Sequence, residues 1–227
     1  MEIEFIGHAT FQITDGGTRL LVDPFLAPNN PAAQVGADDV EPTHVLITHG
    51  HPDHCADAVA VAKRTGASCV AISDLAHWLG SQGVDDVTGP NLGGTARFDW
   101  GGVRIVPAWH TNSTPERDPL SHAAGLVIEI GGRTIYHLGD TCLFSDLRLI
   151  GERYSPDLAL VPIGGFYTMD RTDAVAACAL IGAPTVIPCH YDTFPPVATD
   201  AEAFKAEVER ATDSTVLILA PGETHTL

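Results

Sequence analysis

Apolar positions along the first third of the chain form brief runs that are separated by clear turn signals. Short strands are predicted at residues 3–6, 10–14 and 18–22, where β-branched and aromatic residues are concentrated. Asp15-Gly16-Gly17 indicates a tight hairpin between the last two strands. A loop rich in Pro, Asn and Asp follows at 23–42. The chain is therefore predicted to open with an antiparallel arrangement of strands.

After this loop, the pattern alternates between period-2 runs and helical spacing. Strands are predicted at 44–48, 68–72, 96–100, 103–107, 125–130, 134–138, 158–161, 185–187 and 216–219, and helices at 55–65, 73–82, 147–154, 172–181 and from Asp200. Gly101-Gly102 and Gly131-Gly132 are predicted as turns, and Ser73 as a helix cap. Strands packed with helices in both parts of the chain favour two stacked sheets covered by helices, although periodicity alone gives only α/β or α+β.

A single domain is predicted over residues 1–227, because a chain of this length buries a large core unaided. Two segments resemble each other: a strand after Gly101-Gly102 leads to His110, and a strand after Gly131-Gly132 leads to Asp140. Each is a predicted hairpin that ends in a candidate metal ligand. The domain is therefore predicted to consist of two similar halves, at about 1–115 and 116–227.

The composition of the chain limits the kinds of molecule that it is expected to bind. The chain has 12 basic and 29 acidic residues, a formal charge of −17, which disfavours binding to a nucleic-acid backbone. We expect a small-molecule substrate, and the sequence leaves a homo-oligomer open. No secretory signal or membrane-spanning apolar run is visible. Five cysteines without a C-x-x-C pair fit a reducing environment, so a cytoplasmic location is expected.

The segment 48–54 contains the strongest chemical signal. It reads Thr-His-Gly-His-Pro-Asp-His and places His49, His51, Asp53 and His54 directly after a predicted buried strand. The carboxyl end of such a strand is where open α/β sheets bind their ligands. Imidazole and carboxylate groups together suit divalent transition metals. One ion seldom takes all four groups from so short a loop, so we predict two ions, one on His49 and His51 and the other on Asp53 and His54.

This motif resembles the signature of the metallo-β-lactamase superfamily, and the similarity extends over nearly the whole chain. Further segments that resemble one branch are Ile6-Gly7-His8-Ala9-Thr10, Leu21-Val22-Asp23-Pro24-Phe25, Pro107-Ala108-Trp109-His110, Gly139-Asp140-Thr141, Pro162-Ile163-Gly164-Gly165 and His190-Tyr191-Asp192-Thr193-Phe194-Pro195-Pro196. That branch contains uncharacterised metal-dependent hydrolases related to the ascorbate-6-phosphate lactonases. The motifs are specific and occur in the family's order, but they do not determine the substrate.

The resemblance implies an α+β fold, the four-layer αββα sandwich, with a dinuclear metal centre between the sheet edges. It implies that His110 joins His49 and His51, that His190 joins Asp53 and His54, and that Asp140 bridges both ions. The expected cofactors are two divalent ions, Zn or Mn, with Ni or Fe as alternatives.

Three further residues near these ligands are candidates for other roles. His8 is similar to a family position that faces the cleft and is predicted to donate a proton or contact substrate. Tyr191 is predicted to donate a hydrogen bond to a developing oxyanion, and Asp53 to orient the nucleophile as well as bind metal. Asp23 is a candidate partner for a ligating histidine, since such histidines usually donate their second N–H to a carboxylate or carbonyl.

The function that we predict is metal-dependent hydrolysis. Two ions would activate water for attack on a small ester, lactone or phosphoester. Two alternatives remain open. One is a di-iron redox protein, which iron content and a visible absorption band would reveal. The other is a metal-binding or sensing module without catalysis. Activity towards a panel of esters would argue against such a module.

Overall fold

The computed structural model describes all 227 residues and arranges the strands in two seven-stranded mixed sheets. The first sheet has the order β14-β1-β2-β3-β4-β5-β6. Its strands are Glu2–Gly7 (β1), Thr10–Asp15 (β2), Thr18–Val22 (β3), His44–Ile47 (β4), Ser68–Ala71 (β5), Val87–Thr88 (β6) and, from the end of the chain, Glu223–Thr226 (β14).

The second sheet has the order β13-β12-β11-β10-β9-β8-β7. Its strands are Thr95–Phe98 (β7), Gly101–Pro107 (β8), Ala124–Ile130 (β9), Arg133–His137 (β10), Leu158–Pro162 (β11), Thr185–Cys189 (β12) and Thr215–Val216 (β13). The helices are Pro52–Cys55 (α1), Ala58–Thr65 (α2), Ser73–Ser81 (α3), Leu147–Tyr154 (α4), Arg171–Ile181 (α5) and Ala201–Ala211 (α6), with a 3₁₀ turn at Pro195–Val197.

Apolar side chains fill the space between the sheets and beneath the helices. The larger cluster joins residues of both sheets, such as Phe11 and Leu46 from the first and Leu126 and Leu160 from the second. A smaller cluster lies between the second sheet and its helices and includes Phe204. Helices α2 and α3 pack on the first sheet, and α5 and α6 on the second. The predicted αββα sandwich is thus confirmed, and this burial is the main source of its stability.

Both sheets follow the same plan, in which antiparallel strands at one side give way to parallel strands at the other. Strands β3 to β6 are parallel in the first sheet, and β10 to β13 are parallel in the second. The carboxyl ends of parallel strands meet at one edge of a sheet. The second sheet begins at Thr95, and β14 returns to the first sheet, so the division into similar halves near residue 115 stays a prediction.

The predicted helix at 55–65 is wrong in its start, because two helices occupy this region. The break lies at Asp57, whose carboxylate accepts hydrogen bonds from the Leu26 N–H at 2.7 Å and from Asn29 Nδ2 at 3.0 Å. These bonds fix Asp57 to the loop at 23–42. As a result, Asp53 and His54 lie on the separate short helix α1, which begins with Pro52.

The predicted turn at Gly101-Gly102 is also wrong, because both glycines belong to β8. Gly101 has φ +145°, and a Cβ there would lie 1.9 Å from the Glu129 carbonyl oxygen of β9. Glycine is required here by the close approach of two strands and not by a turn. By contrast, Gly16-Gly17 does connect β2 and β3, which pair Asp15 with Thr18.

Other differences concern the ends of elements. The predicted strand at 216–219 is reduced to Thr215–Val216, and Ser73 begins α3 without a capping hydrogen bond. Strands β6 and β14 were not predicted; β14 is largely exposed and carries little apolar signal. No helix has the length and apolar character that a bilayer crossing requires.

Candidate metal centre

All seven predicted ligands converge at the edge where strands of both sheets end. His49, His51, Asp53 and His54 follow β4, while His110 follows β8, Asp140 follows β10 and His190 follows β12. Hydrogen bonds join the segments that carry them: Trp109 N–H donates to Thr141 Oγ1 at 3.0 Å, and His190 N–H donates to the His8 carbonyl at 2.6 Å. The fold thus brings together residues that lie up to 141 positions apart.

One group of side chains contains three imidazoles. His49 Nε2 lies 3.0 Å from His51 Nδ1, and one ring nitrogen of His110 lies within 4.8 Å of both. His49 is fully buried, whereas His51 and His110 are half-buried and line a surface cleft. Three imidazole nitrogens with an open side suit one divalent ion with an exchangeable position.

The second group combines imidazoles with a carboxylate. Asp53 Oδ2 lies 3.6 Å from His190 Nε2 and 4.0 Å from His54 Nε2. Both histidines are buried, and the Asp53 side chain is about one-third exposed. This group therefore also has one side that faces the cleft.

Asp140 lies between the two groups and contacts both. Its Oδ2 atom is 3.5 Å from His110 Nε2, 3.9 Å from His49 Nε2 and 3.2 Å from His190 Nε2, and its Oδ1 atom is 3.3 Å from His54 Nε2. The carboxylate is only 3% exposed. It is thus placed as a bridging ligand would be placed.

The chemistry of these residues fits divalent cations. His54 Nε2, His190 Nε2 and Asp140 Oδ1 are buried and have no hydrogen-bond partner in the protein. Buried polar atoms normally have a partner, because an unsatisfied one costs about 1–3 kcal/mol. All three atoms converge on the same space, and a cation would satisfy them together.

Asp23 and Thr48 support ligands of both groups from behind. Asp23 Oδ2 lies 2.8 Å from His54 Nδ1 and accepts a hydrogen bond from Thr48 Oγ1 at 2.7 Å. The Thr48 hydroxyl also lies 3.0 Å from His49 Nδ1. Both histidines thereby have their Nδ1 atoms engaged, which leaves Nε2 for a metal.

His137 supports Asp140 in a similar way. The Gly139 N–H donates to His137 Nδ1 at 3.0 Å, so Nδ1 is an acceptor and the proton lies on Nε2. That Nε2 lies 3.2 Å from the carbonyl of Ala9, in the turn between β1 and β2 of the first sheet. A buried neutral imidazole therefore connects the two sheets directly beneath the turn that carries Asp140. His137 was not predicted as a site residue, because in the sequence it resembles an ordinary buried strand residue.

Backbone strain is concentrated in the same place. His8, Asp23 and His190 adopt positive φ angles of 59°, 48° and 55°, which non-glycine residues rarely adopt. Such conformations cost on the order of 1–3 kcal/mol and cluster at functional sites. Each of these residues follows directly on a strand or a strand-end glycine, and the left-handed turn directs its side chain into the centre.

Burial and neighbouring charge separate the histidines into two sets. Burial lowers the pKa of His49 well below 6.5, and burial together with His110 lowers the pKa of His51 to about 4. Burial also opposes charge on His54 and His190, but nearby carboxylates outweigh it. They hold the pKa of His54 well above 6.5 and raise the pKa of His190 to about 9.

His8 does not face the cleft as predicted. It is 1% exposed, and its Nε2 lies 3.1 Å from Asp53 Oδ2 while its Nδ1 lies 2.9 Å from Thr193 Oγ1. Burial and the nearby His190 lower the pKa of His8 to about 4, so its imidazole is neutral at neutral pH. Its Nε2–H then donates to Asp53, and the Thr193 hydroxyl donates to its Nδ1.

Tyr191 is the one predicted site residue that the structure does not bring together with the others. It follows His190 in sequence, but its ring packs against the apolar cluster beneath the helices of the second sheet. It does not line the cleft. The left-handed backbone at His190 and Asp192, with φ angles of 55° and 56°, accompanies this change of direction.

The cleft beside the ligands has a volume of about 510 Å³. Its walls include Phe25, Phe194, Tyr167 and Arg117 in addition to the candidate ligands. Neither Tyr167 nor Arg117 was predicted individually, because both lie on loops without a motif.

Comparisons with known proteins agree with this arrangement. The chain matches the model of the β-lactamase superfamily domain over residues 2–190. It is 45% identical to the UPF0173 metal-dependent hydrolase of Symbiobacterium thermophilum over 230 residues, covering 100% of both chains. It is 43% identical to the corresponding protein of Methanopyrus kandleri over 229 residues, covering 99% of both.

A solved structure is similar over the same length. Igni18, a metallo hydrolase from the archaeon Ignicoccus hospitalis, superposes with a TM-score of 0.89 at 36% sequence identity. The match covers 99% of this chain and 97% of Igni18.

The chain therefore belongs to the metallo-β-lactamase superfamily, as its motifs indicated. Within that superfamily it is a metal-dependent hydrolase, like the full-length relatives that it matches. The relationship to the ascorbate-6-phosphate lactonases stays a prediction.

Proposed function

We propose that this protein hydrolyses a small ester, lactone or phosphoester with a dinuclear metal centre. The position of Asp140 supports this proposal most directly, because its two carboxylate oxygens contact histidines of both ligand groups. His49, His51 and His110 would hold one ion, and Asp53, His54 and His190 the other. Divalent ions at such a site lower the pKa of bound water towards neutrality and polarise the oxygen of a substrate.

The side chains of the centre differ in their access to a substrate. Asp140 is only 3% exposed, whereas Asp53 is 31% exposed at the cleft and makes all its contacts with His8, His54 and His190 through Oδ2. The Oδ1 atom of Asp53 is thus the carboxylate oxygen that would accept a hydrogen bond from the attacking water and orient it. The volume of the cleft limits the substrate to a small molecule.

Chelation is expected to abolish hydrolysis, and a divalent ion is expected to restore it. The protein would be demetallated with a chelator and dialysed. Turnover of a panel of 4-nitrophenyl esters, lactones and phosphoesters would then be measured before and after addition of Zn²⁺, Mn²⁺, Ni²⁺ or Fe²⁺. Elemental analysis of the active form should approach two equivalents per chain. Undiminished turnover by metal-free protein, or full activity with a single equivalent, would contradict the dinuclear proposal.

The same experiment separates the other classes of function. A metal-binding or sensing module would bind two ions without turnover of any compound in the panel. A di-iron redox protein would retain iron and show a visible absorption band that changes on reduction. Neither alternative is favoured by a specific contact in the structure.

We further propose that His8 positions Asp53 and does not act as a proton donor, because it is buried and engaged at both ring nitrogens. His8→Ala is expected to weaken binding of one ion by roughly 10–100-fold, the usual cost of losing a ligand's hydrogen-bond partner. The ion held by His49, His51 and His110 should be retained. Competition with a chelating dye would measure both affinities, and His77→Ala on the exposed face of α3 is the control. Two unchanged affinities with reduced turnover would favour the proton-donor role instead.

A further inference from the structure

Arg117 is the only arginine or lysine side chain that lines the cleft beside the metal centre. The chain as a whole has a formal charge of −17, and the other charged groups at the cleft are candidate metal ligands. Glu116 and Asp118 flank Arg117 in sequence, yet its guanidinium forms no ion pair and no hydrogen bond within the protein. An arginine with five unused N–H donors therefore faces the space that a substrate would occupy.

The loop that carries Arg117 is built as a tight turn. The Arg117 N–H donates to the Thr114 carbonyl at 2.9 Å, and the Thr114 N–H donates to the Asp118 carbonyl at 2.8 Å. Thr114 Oγ1 also accepts from the Asp118 N–H at 3.2 Å. Arg117 itself has φ +76°, which is unfavourable for a residue with a side chain. The loop therefore holds Arg117 in one backbone conformation despite its position at the surface.

The same loop is attached directly to the metal-binding motif. The buried Asn112 accepts a hydrogen bond from the N–H of Gly50, which lies between His49 and His51, at 3.0 Å. Its Nδ2 donates to the His122 carbonyl at 2.7 Å, where the loop ends. A Cβ at Gly50 would lie 2.2 Å from the Ser113 carbonyl oxygen, so the two segments are in van der Waals contact. The position of Arg117 is thereby set relative to the metal ligands.

Apart from Thr111, the remaining walls of the cleft are largely apolar. Phe25, Phe194, Pro196 and Val197 contribute to them, and Tyr167 contributes a ring that is 55% exposed. A ligand that packs against these walls needs an apolar body. To pair with Arg117, the same ligand also needs a compact anionic group. Arginine binds carboxylate and phosphate groups with two parallel hydrogen bonds, which fixes their orientation.

We propose that Arg117 recognises a terminal carboxylate or phosphate of the substrate, separated by a short apolar segment from the bond that is hydrolysed. The proposal rests on the hydrolase function proposed above, since it assigns the substrate class of the same cleft. It predicts that the natural substrate is a small acidic ester, lactone or phosphoester and not a neutral one.

Binding without turnover tests this assignment independently of hydrolysis. Isothermal titration of the metal-loaded protein would compare glutarate and methyl phosphate with the neutral glutaramide. Arg117→Ala is expected to weaken the binding of at least one of the two anions by about 10–100-fold, the range of a charge-assisted hydrogen bond. Arg117→Lys should recover part of the loss, because a point charge remains without the paired geometry. Arg210→Ala on α6 is the control for the loss of a positive charge.

A difference between the two anions would identify which anionic group the cleft prefers. Equal anion binding by wild type and Arg117→Ala, or an equal loss in Arg210→Ala, would overturn the assignment. Turnover provides a second readout: the KM for mono(4-nitrophenyl) glutarate should rise in Arg117→Ala, while that for 4-nitrophenyl pentanoate stays constant. Wild-type protein that hydrolyses neither ester but binds anions through Arg117 would count against the proposed reaction and leave the role of Arg117 supported.

Discussion

Asp140→Ala is expected to release metal from both ligand groups and to lower hydrolysis more than any other single substitution. Asp140 is the one carboxylate within reach of histidines from both groups, at 3.2–3.5 Å from His54, His110 and His190. Without it, two sets of imidazoles lose a shared negative charge, and their bound cations repel each other. The loss of turnover should therefore exceed the roughly 10–100-fold that removal of a ligand's hydrogen-bond partner costs. Elemental analysis and single-substrate kinetics would measure both effects.

Two further variants test whether the loss of metal from both groups is specific to Asp140. His110→Ala removes a ligand that contacts Asp140 but lies away from Asp53, so it should reduce occupancy mainly in the group with His49 and His51. Asp85→Ala removes an exposed carboxylate without a hydrogen-bond partner and should leave metal content unchanged. Circular dichroism would show that the variants remain folded. If Asp140→Ala retained two ions, or lost no more metal than His110→Ala, Asp140 would not be a bridging ligand.

The sequence predicted the fold largely because strand signals and turn signals agreed. Most strands were predicted within two residues of their observed ends, and the αββα sandwich followed from the family motifs. The errors at Asp57 and Gly101 share one cause, which is that contacts distant in sequence overrode a local pattern. The loop at 23–42 interrupts the predicted helix at Asp57 through the hydrogen bond with Leu26, and the approach of β9 requires glycine at Gly101. Neither contact leaves a local trace in the sequence.

Contacts distant in sequence also limited how much of the metal centre could be predicted. The convergence of His49, His110, Asp140 and His190 could be predicted, because the motifs and the strand ends both point to one sheet edge. The direction of neighbouring side chains could not. Left-handed backbone conformations govern whether a residue beside a ligand faces the cleft or the interior, and no local pattern revealed them at His8 or His190. Arg117 was not predicted individually, because its loop carries no motif, although the bond between Asn112 and Gly50 helps to hold that loop against the metal-binding segment.

The two ligand groups are expected to respond differently to protons. At neutral pH the imidazoles of His49 and His51 are already neutral, because burial keeps their pKa values below 6.5. The carboxylates of Asp140, Asp23 and Asp53 instead favour protonated His54 and His190. An ion that binds to His54 and His190 must therefore displace protons, whereas an ion at the other group displaces few. Protons thus compete with the metal at every pH below about 9, the pKa of His190, and not only below 6.5.

Protonation also determines how the metal-free protein responds to pH. The pKa of His190 is raised from 6.5 to about 9, so the charged imidazole stabilises the fold fully below pH 6.5, and this stabilisation is lost as the pH rises through 9. The pKa of His51 is lowered to about 4, which has the opposite consequence. As the pH falls from 6.5 towards 4, the unfolded chain takes up a proton that the folded chain does not, and stability declines. If only His51 and His190 are considered, the apoprotein should be most stable near pH 6.5.

The difference in Tm between metal-loaded and metal-free protein is therefore expected to increase from pH 5 through pH 7.5 to pH 9. Above pH 6.5 the metal displaces progressively fewer protons from His190, which means that the apoprotein alone loses the stabilisation from the charged imidazole, on the order of a few kcal/mol. Below pH 6.5, the metal must still displace protons from His54 and His190, and the difference narrows further. Differential scanning calorimetry of both forms in buffers of equal ionic strength would measure this difference in Tm. Isothermal titration of the metal in buffers of different ionisation enthalpy would measure how many protons are released on binding. A difference that stays constant, or that widens on acidification, would show that histidine ligands do not dominate metal binding.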